Sequence, residues 1–209
     1  MATRRELIQR VLRNVYGDFP SQDSSITENL VNTYINTAIG VATRNAYRDS
    51  IQIDGVAYLN NSFYTTYKGI TFSSDEKFLY KIALPEIPKG LGKNEGIASL
   101  TVKTLDGNLS YDAIPLSTNQ ASYYKEITPK PQKLAYYSEG GFAYVFSKLI
   151  LSSGYTANIR MASGGDASDL DSVLNVPDDY ISVIFDYCVE KLRLERNSAR
   201  DLISDGNDN

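Results

Sequence analysis

The chain predicts an α+β fold: a helical hairpin and a long C-terminal helix packed together, with a large antiparallel β sandwich or barrel inserted between them. Three observations carry this prediction. Apolar residues recur at helical spacing near both ends, the period changes to two between Ile51 and Met161, and capping signals mark where the end helices begin. The expected division is residues 1–50 with 166–209 as the helical part, and residues 51–165 as the inserted β part.

The first helix opens on Thr3 and Glu6, a capping box ahead of Leu7, Ile8, Val11, Leu12 and Val15, with Gly17 placed to end it. Arg4, Arg5, Arg10 and Arg13 then fall on the remaining, solvent-facing surface. Pro20 lies in the turn. Ser25 and Glu28 repeat the capping box before a longer helix through Ile26, Leu30, Tyr34, Ile35, Ala38, Val41 and Ala42.

From Ile51 the pattern alternates. Ile51, Ile53 and Val56, then Phe63, Thr65 and Tyr67, then Ile70 and Phe72 read as short strands separated by Asp-Gly, Asn-Asn and Lys-Gly turns. Further strands are predicted over residues 78–84, 99–105, 135–138, 142–151 and 155–161, with a hairpin turn at Asp106–Asn108. Pro85, Pro88, Gly90, Gly92 and Gly96 mark an irregular excursion that cannot be a central strand.

The closing helix is predicted to have Asn175 as N-cap, Pro177 in its first turn, and Asp178 and Asp179 at the positive end of the dipole. Ile181, Ile184, Cys188 and Leu192 form its apolar stripe, widened by Tyr180, Phe185 and Tyr187. After Leu194 the stripe thins, and Leu202 and Ile203 form an apolar pair with no obvious place in the chain's own core. A helix that outruns its stripe suggests a partner.

Composition narrows the function. The 209 residues are 42% apolar, enough for one good core or two small ones. No stretch approaches the roughly 18 apolar residues of a membrane span, and the N-terminus lacks the apolar region of a signal peptide. The single cysteine excludes a disulfide framework, and its place on the apolar stripe predicts a buried thiol. Charge is uneven: residues 1–50, 51–165 and 166–209 carry +1, +2 and −7. General nucleic-acid binding needs a basic face to displace counterions, so an acidic end suits a basic protein surface or plain solvation instead.

No histidine is present, which removes His-based triads, His-built zinc sites and imidazole acid–base chemistry. Gly90-Leu91-Gly92-Lys93 resembles a phosphate loop, but its first glycine would fall at Ile87 and Asn94 replaces the required hydroxyl residue. Asp166, Asp169 and Asp171 lack the spacing of a calcium loop. Carboxylate pairs such as Glu86 with Glu95, or Asp106 with Asp112, are not distinguishable from surface acids by sequence. The reading is a protein without catalytic, cofactor or metal residues. Sixteen tyrosines, against seven phenylalanines and no tryptophan, suit an interface, because the ring supplies apolar area while the hydroxyl tolerates water. Exposed aromatic rings on a sheet are also a feature of carbohydrate-binding surfaces, so a β-rich glycan-binding module is an alternative reading.

The order of parts resembles a family. The opening helix Thr3-Arg4-Arg5-Glu6-Leu7-Ile8 with Val11-Leu12-Arg13, the second helix carrying Leu30 to Asn36 and Ala38, the β insertion, and the closing helix opened by Val176-Pro177-Asp178-Asp179-Tyr180 look like the head-to-tail connector proteins of tailed bacteriophages, also called adaptor or ring proteins. The resemblance covers roughly the first 50 and last 35 residues as a pattern of architecture. The β section is larger than a minimal adaptor needs, which brings the chain nearer the short-tailed phages, including the crAss-like group. The resemblance implies a structural virion subunit forming a dodecameric ring below the portal, around the DNA exit channel, with a tail-hub or other neck protein of the same virion as the alternative. Its partners would be copies of itself, the portal and other neck or tail proteins, with packaged DNA nearby and no membrane. It would reside in the virion neck, and in host cytoplasm during assembly. Leu202, Ile203, Asp205, Asp208, Arg4, Arg5 and Arg13 are the expected partner-binding residues.

Overall fold

A computed structural model describes residues 2–17, 26–89, 91, 96–126 and 133–204, with 118, 125, 126 and 197–204 described in their backbone alone. The fold is α+β. Residues 1–63 and 164–209 make one unit, and residues 64–163 make another.

The first unit contains α1 (Arg4–Tyr16), α2 (Glu28–Asp54) and, after the other unit, α4 (Asp178–Ser204). These three helices pack on one another. Leu7, Ile8, Val11 and Val15 of α1, Val31, Ile35, Ala38, Ile39 and Ala42 of α2, and Ile184, Cys188 and Leu192 of α4 are buried at three- and four-residue steps. Fully burying one such aliphatic side chain contributes roughly 1.5–3 kcal/mol. The Phe63 ring, which follows a 3₁₀ turn at Asn61–Phe63, meets Tyr180 of α4 edge-on at 5.3 Å between centroids.

The start of α1 has a partner for each of its first donors. Glu6 N–H donates to the Thr3 hydroxyl while the Thr3 N–H donates to the Glu6 carboxylate, completing the predicted capping box. The Arg4 and Arg5 N–H groups donate to the carbonyls of Ser172 and Leu170, at 3.1 and 2.7 Å, and the Leu7 N–H donates to the Thr3 carbonyl. The segment leading into α4 thus lies across the start of α1, with Thr3 and Val173 in an antiparallel bridge.

Arg4 departs from expectation. It does not face solvent but is fully buried, because the strap at residues 164–175 and the side of α2 enclose it. One guanidinium nitrogen donates to the side-chain oxygens of Asn32 and Asn36 at 3.0 and 2.9 Å, and the other to the carbonyls of Gly164 and Gly165, each at 3.1 Å. Gly164 has φ of +92° and a Cβ built there would lie 2.8 Å from an Ile39 methyl, so both backbone sign and space require glycine.

Helix α2 also departs from expectation. Ile51 and Ile53 were read as strand, yet α2 continues to Asp54. The Asp-Gly pair acts as a helix stop instead of a hairpin turn: Gly55 takes a left-handed conformation and its N–H donates to the Ile51 carbonyl. The N-cap is Thr27, whose hydroxyl accepts from Leu30 N–H, and not Ser25, which lies outside the described residues. Helix α4 begins at Asp178, later than an Asn175 cap would place it, with the Tyr180 N–H bonded to the Pro177 carbonyl.

The second unit contains β1 (Tyr64–Thr71), β2 (Ser73–Glu76), β3 (Leu79–Ala83), β4 (Ile97–Thr104), β5 (Ser110–Pro115), α3 (Thr118–Glu126), β6 (Leu134–Glu139), β7 (Phe142–Phe146) and β8 (Tyr155–Ala162). Instead of an antiparallel sandwich or closed barrel, the strands form one eight-stranded mixed sheet, ordered β1-β8-β4-β5-β6-β7-β3-β2. The pair β5–β6 is parallel, joined by a crossover through α3, and the others are antiparallel.

The connection from β1 to β2 explains the sheet's curl. These strands lie at opposite edges of the order, yet only Phe72 separates them. A flat eight-stranded sheet would place its edges roughly 30 Å apart, and one residue spans about 3.5 Å. The sheet therefore curls into a half-barrel that brings its edges together at Phe72. Phe72, Ile82, Leu100, Val102, Leu134, Tyr136, Val145, Ile159 and Met161 fill its inside. On the outside, Leu79, Leu116, Ala135 and Phe146 form a smaller core with Tyr124 of α3.

Two predicted strands, at Phe63–Tyr67 and Ile70–Phe72, are the single strand β1; Lys68–Gly69 is a bulge, and the Gly69 N–H donates to Asn158. The strand expected over 142–151 stops at Phe146. Strands β2 and β5 and helix α3 were not foreseen: all of β2 is exposed, so no alternation marks it. The predicted hairpin turn joins β4 to β5, where Asp106 accepts from the Asn108 backbone and side chain.

Replacing Arg4 with Met leaves two buried glycine carbonyls and two half-buried asparagine oxygens without this donor. The expected cost is about 3–5 kcal/mol, measured by urea denaturation of the full chain; a loss below about 1 kcal/mol would show that those oxygens find other partners.

Candidate functional site

The residues expected to meet partners are scattered. Arg4 is internal, as above. Arg5 is exposed and forked onto Asp171, with Nε at 2.6 Å and Nη2 at 3.1 Å from its oxygens, which holds the Asp171 carboxyl below its ordinary value. Arg13 is exposed on α1. Leu202 and Ile203 lie within α4. Asp205 and Asp208 lie outside the described residues.

Helix α4 is tied to its own chain further along than its apolar stripe indicates. Arg193 donates to the Asn14 side chain at 2.9 Å, and Arg196 donates to the Val15 carbonyl at 2.6 Å while stacking 5.4 Å from the Tyr16 ring. That places a cation at the carbonyl end of α1, where the helix dipole favours it. Tyr34 of α2 donates to Glu195. Burial also shows an overhang on α2. Its last buried residue is Thr43, and beyond it Ile51, Ile53, Val56 and Tyr58 are exposed, Ile53 by 80%. The tip is ordered, since the Tyr58 N–H donates to the Ser50 hydroxyl. Helix α4 likewise exposes Val183 and Leu194 on its outer side.

The β unit presents a different surface. On the outer face of β1, β8, β4 and β5, Thr66, Ser99, Thr101, Lys103, Ser110, Asp112, Asn158 and Arg160 line an open depression of about 340 Å³. Alternation explains it, because the other side of each strand faces the half-barrel core. Arg160 also stacks on the Tyr64 ring at 5.0 Å.

The described acids among those considered for catalysis accept hydrogen bonds from their own chain. Glu86 accepts from Tyr67, whose hydroxyl also reaches buried Ser163. Asp112 accepts from Thr101, and Asp106 caps its turn with its carboxyl held below the ordinary range by the Thr104 hydroxyl and Asn108. Glu95 lies outside the described residues. Asp166 accepts from the Ser168 N–H and hydroxyl, and Asp169 from the Asp171 N–H. Among the described residues, no three His, Cys, Asp or Glu side chains come together as a metal site, and no helix is long and apolar enough to cross a membrane.

The tyrosine doublet at residues 136 and 137 splits across β6 as alternation requires. Tyr136 enters the core, and Tyr137 stacks on Tyr144 outside at 4.9 Å. Tyr123 and Tyr124 fall on α3, where Tyr124 packs and Tyr123 is exposed. No protein-family model matches this chain, and no curated protein matches it either.

Burial pushes the Cys188 thiol from 9.0 up to about 12, and the Tyr136 hydroxyl from 10.0 up to about 12. Between the unfolded and folded values the unfolded chain has released protons that the folded chain still holds, so stability falls as pH rises. Stability measured by denaturant should therefore decline from about pH 9 toward pH 12, and Cys188→Ala should shallow the start of that decline. Iodoacetamide at pH 8 should label Cys188 only in denatured protein; rapid labelling of the folded chain would refute its burial.

Proposed function

We propose that the chain is a structural subunit of the head-to-tail connector of a tailed bacteriophage, repeated in a ring below the portal and around the DNA exit channel. The observation that carries this reading is the helical unit itself: it is drawn from both ends of the chain around an inserted β unit, the order of parts that the connector resemblance rests on. Support comes also from the apolar side chains that α2 and α4 leave in solvent, a feature of surfaces covered in an assembly. Function here is passive. The subunit contributes shape and contact area, and the segment beyond Arg196 reaches the portal or a neighbouring copy. Ring closure follows when one patch binds a different patch on the next copy and the rotation closes.

The polar depression favours a second reading, a glycan-binding module. Hydroxyl, amide, ammonium, guanidinium and carboxylate groups on one sheet face suit the hydroxyls of a saccharide. Titration of the full chain with a glycan panel would separate this from the connector role.

Averaged images of assembled particles should show this chain in a ring with rotational symmetry; one or a few copies without symmetry would overturn the connector reading. Deleting residues 198–209 should leave thermal stability unchanged, because the buried stripe through Leu192 and the contacts of Arg193 and Arg196 remain, while incorporation into particles fails. Full incorporation of the truncated chain would rule out docking through this segment.

A further inference from the structure

The depression on the outer face of β1, β8, β4 and β5 is lined by side chains that the sheet holds in register. Arg160 lies between its ladder partners Thr66 and Ser99, and its guanidinium stacks on the Tyr64 ring at 5.0 Å. Two residues back along β8, the Asn158 side-chain oxygen accepts from the Gly69 N–H at 3.1 Å, which fixes the amide and leaves its own N–H groups as donors. The Asp112 carboxylate accepts from the Thr101 hydroxyl at 2.9 Å. Lys103, opposite Ser110, has no ion pair among the described residues. Ser99 and Lys103 are four residues apart on β4, so the two cations are separated by roughly 13 Å along the strands, with hydroxyl and amide groups between them.

Charge and donors decide the class of ligand. The depression holds two cations and one carboxylate, a local balance of +1 in a chain whose net charge is −4. A neutral sugar presents apolar C–H faces that stack on exposed aromatic rings, and among the described residues no aromatic ring lines this depression. Single-stranded nucleic acid needs such rings for its bases as well. A carboxylate instead matches the guanidinium fork with two parallel hydrogen bonds. The geometry points to an oligosaccharide bearing uronic-acid carboxylates as the ligand of this face, with one carboxylate on Arg160 and another on Lys103. This rests on the glycan reading above and names its class. Thr66, Ser99 and Asn158 meet sugar hydroxyls between the two anchors. Asp112 accepts a further hydroxyl and, as a like charge, repels an anion denser than a uronate chain.

Isothermal titration calorimetry of the full chain with a galacturonic-acid hexasaccharide tests this. Binding should saturate, and Lys103→Glu and Arg160→Gln should each weaken it at least about tenfold. Arg160→Lys should weaken it too, because the charge remains while the fork is lost. Lys148→Glu changes net charge by the same amount at an exposed position outside the depression, and should bind as the original chain does. Circular dichroism melting should be the same for Lys103→Glu, Lys148→Glu and the original chain, so that lost binding is not lost folding. No binding of the uronate, binding that Lys103→Glu leaves intact, or equal weakening by Lys148→Glu would overturn the inference. Inorganic polyphosphate bound as tightly as the uronate would overturn it as well, by marking a general anion site. The glycan reading is decided separately: a neutral glucose hexasaccharide that binds where the uronate does not keeps that reading and discards the acidic class, whereas a panel without any saccharide that binds ends both.

Discussion

The Arg4 guanidinium is enclosed by α2 and the strap that leads into α4, and it donates to oxygens on both. Desolvating a charge costs several kcal/mol unless hydrogen bonds replace the lost water. Here two asparagine side chains and two glycine carbonyls replace it. The arrangement constrains its neighbours in turn. Asn32 and Asn36 must lie one helical turn apart on α2, Gly164 must be glycine because Ile39 closes the space behind it, and the strap must run close enough for Ser172 and Leu170 to accept from the first turn of α1. The start of α1, the side of α2 and the approach to α4 are therefore fixed through one side chain.

The β unit depends on a comparable constraint of connectivity. Passing from one sheet edge to the other through Phe72 forces the strands to curl, and the curl encloses the core. Tyr64 and Ala162, at its two chain ends, are paired partners, so the unit leaves and returns at one place. An insertion with adjacent ends can be added to a helical unit without separating the helices that flank it.

The helical unit combines a satisfied interior with unsatisfied outer faces. Its buried stripes are shared among α1, α2 and α4, whereas α2 has no buried residue beyond Thr43. A solvated half-helix of this length is marginal on its own. Exposed Ile51, Ile53, Val56 and Val183 leave this unit with apolar side chains in solvent.

Local physics settled what the sequence by itself could determine. The capping box at Thr3 and Glu6, the apolar stripe of α4, the buried thiol and the opposite facing of Tyr136 and Tyr137 depend on residues a few positions apart, so composition and period reveal them. Asp54-Gly55 shows the limit: left-handed glycine serves a hairpin and a helix cap equally well, and Gly55 serves the cap, its N–H on the Ile51 carbonyl. Tertiary structure alone decided that Arg4 is internal, since its oxygens arrive from residues up to 161 positions away. It likewise decided the parallel β5–β6 pair and the curled sheet, which are long-range pairings that no short period encodes. The exposed faces of the helices were half legible for the same reason. Charge and period mark the outer stripes of α2 and α4, but which faces stay in solvent follows only once the helices have packed.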